Sequence, residues 1–261
     1  MAASTAQLQV QVESAAELIR NSRYCVALTG AGVSTPSGIP DFRSPGSGIW
    51  TKYNPMEVAS LSAFRYHPSE FYTWLRPFVS CLIQAEPNPA HTALARLENS
   101  KILKSIITQN IDGLHQKAGS RKVIEVHGSY LTLTCLGCYQ QVEATDQFLK
   151  EFLAGDENPS CPHCGKLLKP DIILYEEQLP ARQWKAARVE VMACDLMIIL
   201  GSSLTVTPTC DLPYTAMAHN ARMLILNRMS THLDQQADIS IQGDLETILP
   251  LIADKVIHEE E

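Results

Sequence analysis

Six short apolar runs are spaced along this chain, at Tyr24–Leu28, Ile102–Ile107, Val123–Val126, Leu196–Leu200, Met223–Leu226 and Ile239–Ile241. Most of the intervals between them are long enough for a helix. A short, continuous apolar run fits a strand buried on both faces, as in a parallel sheet covered by helices. The alternation therefore predicts an α/β fold with an open parallel, Rossmann-like sheet. Ahead of the first run, residues 7–22 predict an amphipathic helix, because Leu8, Val12, Ala15, Ala16 and Ile19 share one face. Small or polar residues follow every run: Gly30-Ala31-Gly32, Thr108-Gln109-Asn110, His127-Gly128, Gly201-Ser202-Ser203, Asn227 and Gly243-Asp244. Ligands of open parallel sheets bind outside the carboxyl ends of the strands, so these residues are expected to converge on one cleft.

Two stretches break the alternation. Residues 40–77 are rich in Pro, Ser and aromatics and read as a loop leading into short helices. Residues 128–170 carry Cys135-Leu-Gly-Cys138 and Cys161-Pro-His-Cys164, with 22 residues between the pairs. Two residues between thiolates let one turn aim both sulfurs at one ion, and two such turns close a tetrahedral structural zinc site. His163 is then a solvated turn residue, since four thiolates saturate the metal. Cys25, Cys81, Cys194 and Cys210 read as small hydrophobes. The expected division is a Rossmann-like domain from 1–39, 78–127 and 171–261, with a smaller lobe made of a helical insertion at 40–77 and the zinc module at 128–170.

With 261 residues, 45% of them hydrophobic, the chain can bury a substantial core. It has no run near the ~18 apolar residues of a membrane helix and no basic-then-apolar start, so the expectation is a cytoplasmic protein without a membrane partner. A formal charge of -7 argues against direct nucleic-acid binding. The acidic end, His258 to Glu261, is expected to be unstructured.

After the first run, Gly30-Ala31-Gly32-Val33-Ser34 could bring backbone N–H groups close to a phosphate. The dehydrogenase fingerprint would place a small residue at Thr35 and an acid near Trp50, and neither is present. An ordinary hydride-transfer enzyme is disfavoured. The motif continues as Gly30-Ala-Gly-Val-Ser-Thr-Pro-Ser-Gly-Ile-Pro-Asp-Phe-Arg43. It is followed by Thr108-Gln-Asn-Ile-Asp-Gly-Leu-His115, His127-Gly128, the four cysteines, Gly201-Ser-Ser-Leu-Thr-Val206, Asn227 and Gly243-Asp244. In this order, over nearly the whole chain, the ensemble resembles the sirtuins.

The resemblance implies an NAD-dependent protein-lysine deacylase. In that chemistry the acyl oxygen of a modified lysine attacks the nicotinamide ribose and expels nicotinamide. A histidine then deprotonates a ribose hydroxyl, and water finally releases free lysine and O-acyl-ADP-ribose. By position that base is His127, and histidine's ordinary pKa of about 6.5 suits it. The same resemblance assigns Asn110 and Asp112 to the nicotinamide amide and ribose, a donor and an acceptor together, with Ile111 between them and Gln109 on a ribose. Ala31, Ile39, Pro40, Asp41, Phe42 and Arg43 match the cofactor loop, beside Gly30, Gly32 and Ser34. Gly201, Ser202, Ser203, Asn227, Gly243 and Asp244 match the adenosine side. Zinc and NAD are the implied cofactors and acyl-lysine proteins the implied partners. Ile173, Tyr175, Glu176, Glu177, Leu204 and Val206 match the residues that pair with the substrate peptide. The alternatives are an NAD-dependent mono-ADP-ribosyltransferase, or a non-catalytic NAD or zinc binding module.

Two positions set this chain apart. Where many sirtuins have Phe-Gly-Glu, it has Tyr175-Glu176-Glu177, so that a Glu replaces a permissive Gly beside the peptide. Either the backbone and local charge change, or Glu176 points to solvent. Sirtuins that prefer acidic acyl groups carry a Tyr and an Arg three residues apart, whereas Tyr72 here is followed by Leu75, with Arg76 about 100° further round the helix. Acetyl should be favoured over succinyl, unless Tyr72 and Leu75 are merely core residues.

Overall fold

The computed structural model describes residues 5–42, 46 and 48–258. The cofactor-loop role of Arg43 and the expectation for residues 259–261 lie outside the described residues, and the expected unstructured end is corrected at His258, which is the last residue of a helix. Nine strands run in order: β1 (Cys25–Thr29), β2 (Leu103–Thr108), β3 (Val123–Glu125), β4 (Gly128–Cys135), β5 (Gln141–Glu143), β6 (Leu168–Ile172), β7 (Leu196–Leu200), β8 (Arg222–Asn227) and β9 (Ile239–Gln242). The α-helices are α1 (Thr5–Arg20), α2 (Pro55–Val58), α3 (Leu61–Tyr66), α4 (Pro68–Gln84), α5 (Pro89–Asn99), α6 (Leu114–Lys117), α7 (Asp146–Ala154), α8 (Ala181–Ala193), α9 (Leu212–Ala218) and α10 (Leu245–His258). All six strands expected from the apolar runs are present, each shifted by no more than a residue or two. The chain divides into two compact units, one of Met1–Ser37, Glu86–Val126 and Arg182–Glu261, the other of Gly38–Ala85 and His127–Ala181.

The first unit is built on a parallel sheet in the order β3-β2-β1-β7-β8-β9. β1 and β7 are buried at every position, since both faces are covered. Alternate residues serve opposite faces: Cys25 and Ala27 pack with α1, α5 and α10, while Val26 and Leu28 pack with α8 and α9. α1 buries Val12, Ala15, Ala16 and Ile19, four of the five residues of its expected apolar face. α5 starts at Asn88-Pro89: the Asn88 side chain accepts the Ala90 N–H at 2.9 Å, and His91 Nδ1 accepts the Asn88 N–H at 3.3 Å. This reciprocal cap, with Pro at the first helical position, satisfies amides the helix itself cannot.

The second unit combines α2–α4 and α7 with an antiparallel sheet in the order β5-β4-β6. The helical part extends further than expected. Instead of ending by Pro77, α4 continues to Gln84, because Phe78, Val79 and Leu82 beyond the proline are buried on the same face as Phe71, Tyr72 and Leu75. His127 and the segment after β6 also belong to this unit, since the Ile173 N–H donates to the His127 carbonyl at 2.9 Å.

Candidate active site

In the first unit the strand order reverses between β1 and β7, the switch point where a doubly wound sheet opens a crevice outside its carboxyl ends. The loops after β1 and β7 meet there. Gly30 N–H donates to the Leu200 carbonyl at 3.0 Å and Gly32 N–H to the Gly201 carbonyl at 2.8 Å. A Cβ on Gly30 would lie 2.7 Å from the Gly201 oxygen, and one on Gly32 would lie 2.8 Å from the Gly201 Cα. The expectation that these glycines expose amides to a phosphate is corrected: their amides are committed, and the missing side chains let two backbones touch. Gly201, with φ +59, completes the same contact.

The polar centre is built around Ser34, which is 1% exposed. His91 Nδ1 accepts the Asn88 N–H, so Nε2 carries the proton and donates to Ser34 Oγ at 3.3 Å. Asn110 Nδ2 also donates to Ser34 Oγ, at 3.1 Å, and to the Gly30 carbonyl at 3.1 Å. Ser34 in turn donates to Asp112 Oδ2 at 2.7 Å, while Asp112 Oδ1 accepts the Leu114 N–H at 2.9 Å. The serine hydroxyl thus has two donors and one acceptor and holds Asn110 and Asp112 in register. Burial pushes the Asp112 carboxyl above the ordinary aspartate value, opposed by these hydrogen bonds. The expectation of a donor–acceptor pair needs correction, because both amide hydrogens of Asn110 are spent on the protein. What Asn110 and Asp112 can offer a ligand is acceptor oxygens.

No role was expected for His91, nor for His115 beyond its place at the end of the Thr108–His115 motif. Both are buried, with ring centroids 5.0 Å apart, and His115 Nε2 lies 3.0 Å from Thr29 Oγ1. Burial holds His91 down to about 4 and His115 to about 3, so both are neutral. The Asn-Pro-x-His pattern at Asn88–His91 was a capping signal that could have revealed the first. Further along the sheet edge, Gln109 Nε2 donates to Ser202 Oγ at 2.9 Å and Asn227 Nδ2 to the Ser202 carbonyl at 2.8 Å. Asp244 pairs with Arg228 at 2.5 Å, a partner sequence reasoning also missed. Ser203 is exposed and bonded to Thr205, Ile111 and Val206 are half-buried, and Gly243 N–H donates to the Asn227 carbonyl. Leu204, expected beside the peptide, takes φ +54, is 3% exposed and packs in the core with Leu212 and Ala216. This donor set at five adjacent strand ends has the hydroxyls, amides and acceptor oxygens that the riboses and amide of NAD require.

In the second unit His127 is half-buried, and Gly128 takes φ +76. A Cβ at Gly128 would lie 1.9 Å from the Asp171 carbonyl oxygen, so β4 and β6 can pair there only through glycine. Ile173 is thereby tied to His127. The Tyr175 N–H donates to the Ala59 carbonyl and its carbonyl accepts the Leu61 N–H, both at 3.0 Å. Glu177 accepts the Leu174 N–H at 2.9 Å and pairs with Lys169 at 2.9 Å. Glu176 adopts φ +73, the left-handed conformation that costs glycine least, and its carboxylate accepts the Ser62 N–H at 2.9 Å. Ile39 is 5% exposed. Pro40 is half-buried, and the Asp41 and Phe42 carbonyls accept the Ile49 and Trp50 N–H groups. The Phe42 ring packs at a tilt against Trp50, with centroids 5.2 Å apart, and against Phe78, 5.8 Å apart.

The four sulfurs of Cys135, Cys138, Cys161 and Cys164 lie within 4.8 Å of one another, with Cys135–Cys164 at 3.4 Å and Cys138–Cys161 at 3.7 Å. Tetrahedral zinc with bonds of about 2.3 Å has sulfur–sulfur edges of about 3.8 Å, so the residues fit that ion. Gly137 and Cys138 N–H groups point at Cys135 Sγ, at 3.2 and 3.4 Å. Exposed His163 is not part of the cluster. Tyr72, Leu75, Val79, Leu133, Phe148 and Ile172 help line an apolar cavity in the same unit. The Tyr72 hydroxyl is bonded to the Leu168 carbonyl. The Arg76 guanidinium is bonded to the Phe152 carbonyl at 2.9 Å and lies over the Phe152 ring at 4.8 Å.

The model of the Sir2 family matches residues 30–208. The chain is 43% identical to NAD-dependent protein deacylase 2 of Archaeoglobus fulgidus over 250 residues, covering 95% of this chain and 97% of that one. It is similar to a solved Sir2 variant with a deacetylated p53 peptide and 3′-O-acetyl ADP ribose, at TM-score 0.86 and 37% identity over 95% of this chain and 98% of that one. It is also similar to Sir2Af2 bound to a myristoylated histone peptide, at TM-score 0.81 and 37% identity over 97% of this chain and all of the other. Agreement in sequence, length and fold has one reading: the chain belongs to the Sir2 family.

Proposed function

We propose that this protein removes acetyl and other acyl groups from protein lysine side chains at the expense of NAD, releasing nicotinamide and O-acyl-ADP-ribose. The observation that carries the reading is the buried cluster in which Ser34 orders Asn110 and Asp112 at the switch point of a Sir2-family sheet. A binding module has no need to bury a carboxyl group at such cost. NAD supplies a glycosidic carbon activated by its nicotinamide leaving group, and the protein's residues bind, orient and move protons. The sheet unit is the NAD-binding part. Asn110 Oδ1 and Asp112 accept from the carboxamide and ribose, and we assign the matching donor to the Ile111 backbone N–H. Gln109, Ser202, Ser203, Asn227 and Asp244 take the ribose hydroxyls and adenine. Phe42, with Ile39, Pro40 and Asp41, shields the reacting carbon from water.

His127 is the general base that takes the ribose hydroxyl proton, held by Gly128 on one side and by the Ile173 N–H on its own carbonyl. Ile173, Tyr175, Glu176 and Glu177 receive the substrate peptide through their backbone, as an added strand, and Val206 is a further peptide residue. Cys135, Cys138, Cys161 and Cys164 hold a structural zinc ion, and thiolates committed to a metal rather than to disulfides fit a reducing compartment, which favours the cytoplasm. Among the described residues, no helix is long and apolar enough to cross a membrane. Acyl-lysine proteins are the partners, and the charge of -7 disfavours nucleic acid. The apolar cavity beside Leu75, with Arg76 bound elsewhere, favours acetyl or apolar acyl chains over succinyl.

Mass spectrometry of acetyl-lysine peptides with and without NAD tests the reading. The wild type should yield free lysine and O-acetyl-ADP-ribose, and His127→Ala should lose a factor of about 10² to 10⁴ in turnover while remaining folded. ADP-ribosylated protein without deacylation would establish the transferase instead, and wild-type turnover in His127→Ala would remove the base.

A further inference from the structure

Glu176 stands where the family pattern has glycine, and it keeps a conformation that glycine would adopt freely, φ +73. A non-glycine residue holds the left-handed region only where something compensates. The compensation is visible at the start of α3. The Ala63 N–H donates to Ser60 Oγ at 2.9 Å, the Leu61 N–H to the Tyr175 carbonyl at 3.0 Å, and the Ser62 N–H to Glu176 Oε2 at 2.9 Å. Three successive amides that the helix leaves unpaired are thus satisfied, two of them by residues 175 and 176. The Tyr175 N–H closes the same seam on the Ala59 carbonyl, making a short parallel bridge between Ser60 and Tyr175.

The bridge reaches further into the unit. The Tyr175 ring meets Trp50 edge-on at 6.0 Å, and Trp50 packs at a tilt against Phe42 at 5.2 Å. On the other side, Glu177 fixes Leu174 and binds Lys169. Glycine at 176 would permit the backbone turn but could not grip α3. The Ser62 hydroxyl and amide hold the Glu176 carboxyl below the ordinary glutamate value, with Arg65 adding to the effect, so it remains an ionised acceptor.

We propose that Glu176 is a positioning residue: its carboxylate latches the segment Ile173–Glu177 to the Ser62 amide of α3 and so preorganises the edge that receives the acyl-lysine peptide. The proposal rests on the deacylase reading for the identity of the peptide, whereas the latch itself is a property of the free protein. It makes the departure from glycine a gain in substrate affinity and assigns no part of that gain to charge recognition of the peptide.

Three variants of the full chain separate the possibilities. Glu176→Gln keeps an acceptor oxygen and should stay within about twofold of wild type in KM for an acetyl-lysine peptide. Glu176→Gly loses the latch and should raise that KM about three- to tenfold, the range that loss of a cap implies. Glu176→Ala loses the latch and keeps the strained φ, so it should be worse than Gly. KM for NAD and kcat should move little. Hydrogen exchange at the Ser62 amide should quicken in the Gly and Ala variants and not in Gln, whatever the enzyme's activity. A wild type that deacylates no peptide would sink the deacylase reading alone. Unchanged Ser62 exchange in Glu176→Gly, a wild-type peptide KM in that variant, or a Gln variant as weak as Gly would overturn the latch.

Discussion

Replacing Gly128 by Ala is the sharpest single perturbation this structure offers. Two costs add. At φ +76 an alanine sits in the left-handed region, at about 1–2 kcal/mol. Its Cβ would also lie 1.9 Å from the Asp171 oxygen, so β4 and β6 must separate by about 1.5 Å to reach an ordinary contact, a repacking of about 1–3 kcal/mol. The expected destabilisation is about 2–5 kcal/mol, a large share of the roughly 5–15 kcal/mol that holds a protein folded. Activity should fall further, because the same shift moves the Ile173 N–H away from the His127 carbonyl, and a 1 Å misplacement can cost about a hundredfold. Urea denaturation with deacetylation kinetics measures both. Gly165→Ala is the control: it has φ +69 in the same unit with nothing within 4 Å of the added Cβ, so only the first cost applies. If Gly128→Ala were no worse than Gly165→Ala, or kept full activity, the close approach to Asp171 would not matter as argued.

Metal analysis should find one zinc per chain, and Cys135→Ser or Cys161→Ser should lower thermal stability. Intact folding and activity without the metal would remove the structural site. Stability should decline as pH falls from about 6.5 toward 4. His91 and His115 are held by burial at about 4 and about 3, so in that window the unfolded chain binds protons that the folded one refuses, at about 1.4 kcal/mol per pH unit for each histidine. Urea midpoints between pH 7.5 and 5 should show this slope, and it should flatten in His91→Asn; an unchanged slope would contradict it. The wild type should deacetylate far better than it desuccinylates, with Leu75→Arg gaining succinyl activity. Preference for succinyl in the wild type would refute the acyl assignment, and no gain in the variant would make Leu75 a packing residue only.

The parts of this protein legible in its sequence are those governed by short-range rules. Apolar runs such as Leu196–Leu200 announce strands because both faces are covered, and Cys135-Leu-Gly-Cys138 announces a thiolate turn because two spacers suffice to aim two sulfurs at one point. The order of these motifs was enough to identify the family. Tertiary structure decided what depends on residues distant in the chain. Gly30 and Gly32 are glycines because Gly201 touches them, and Asn110 presents an acceptor because its hydrogens are spent on Gly30 and Ser34. His91 matters because a cap turns its ring toward Ser34, 57 residues away. Leu204, read from its motif as a peptide contact, is core because Leu212 and Ala216 pack with it, and Glu176 keeps a glycine's conformation because the Ser62 amide lies within reach of its carboxylate. The physical reason is common to all of these: propensity and spacing act over a few residues, whereas hydrogen-bond partners and steric limits are set by whatever the fold places across the gap.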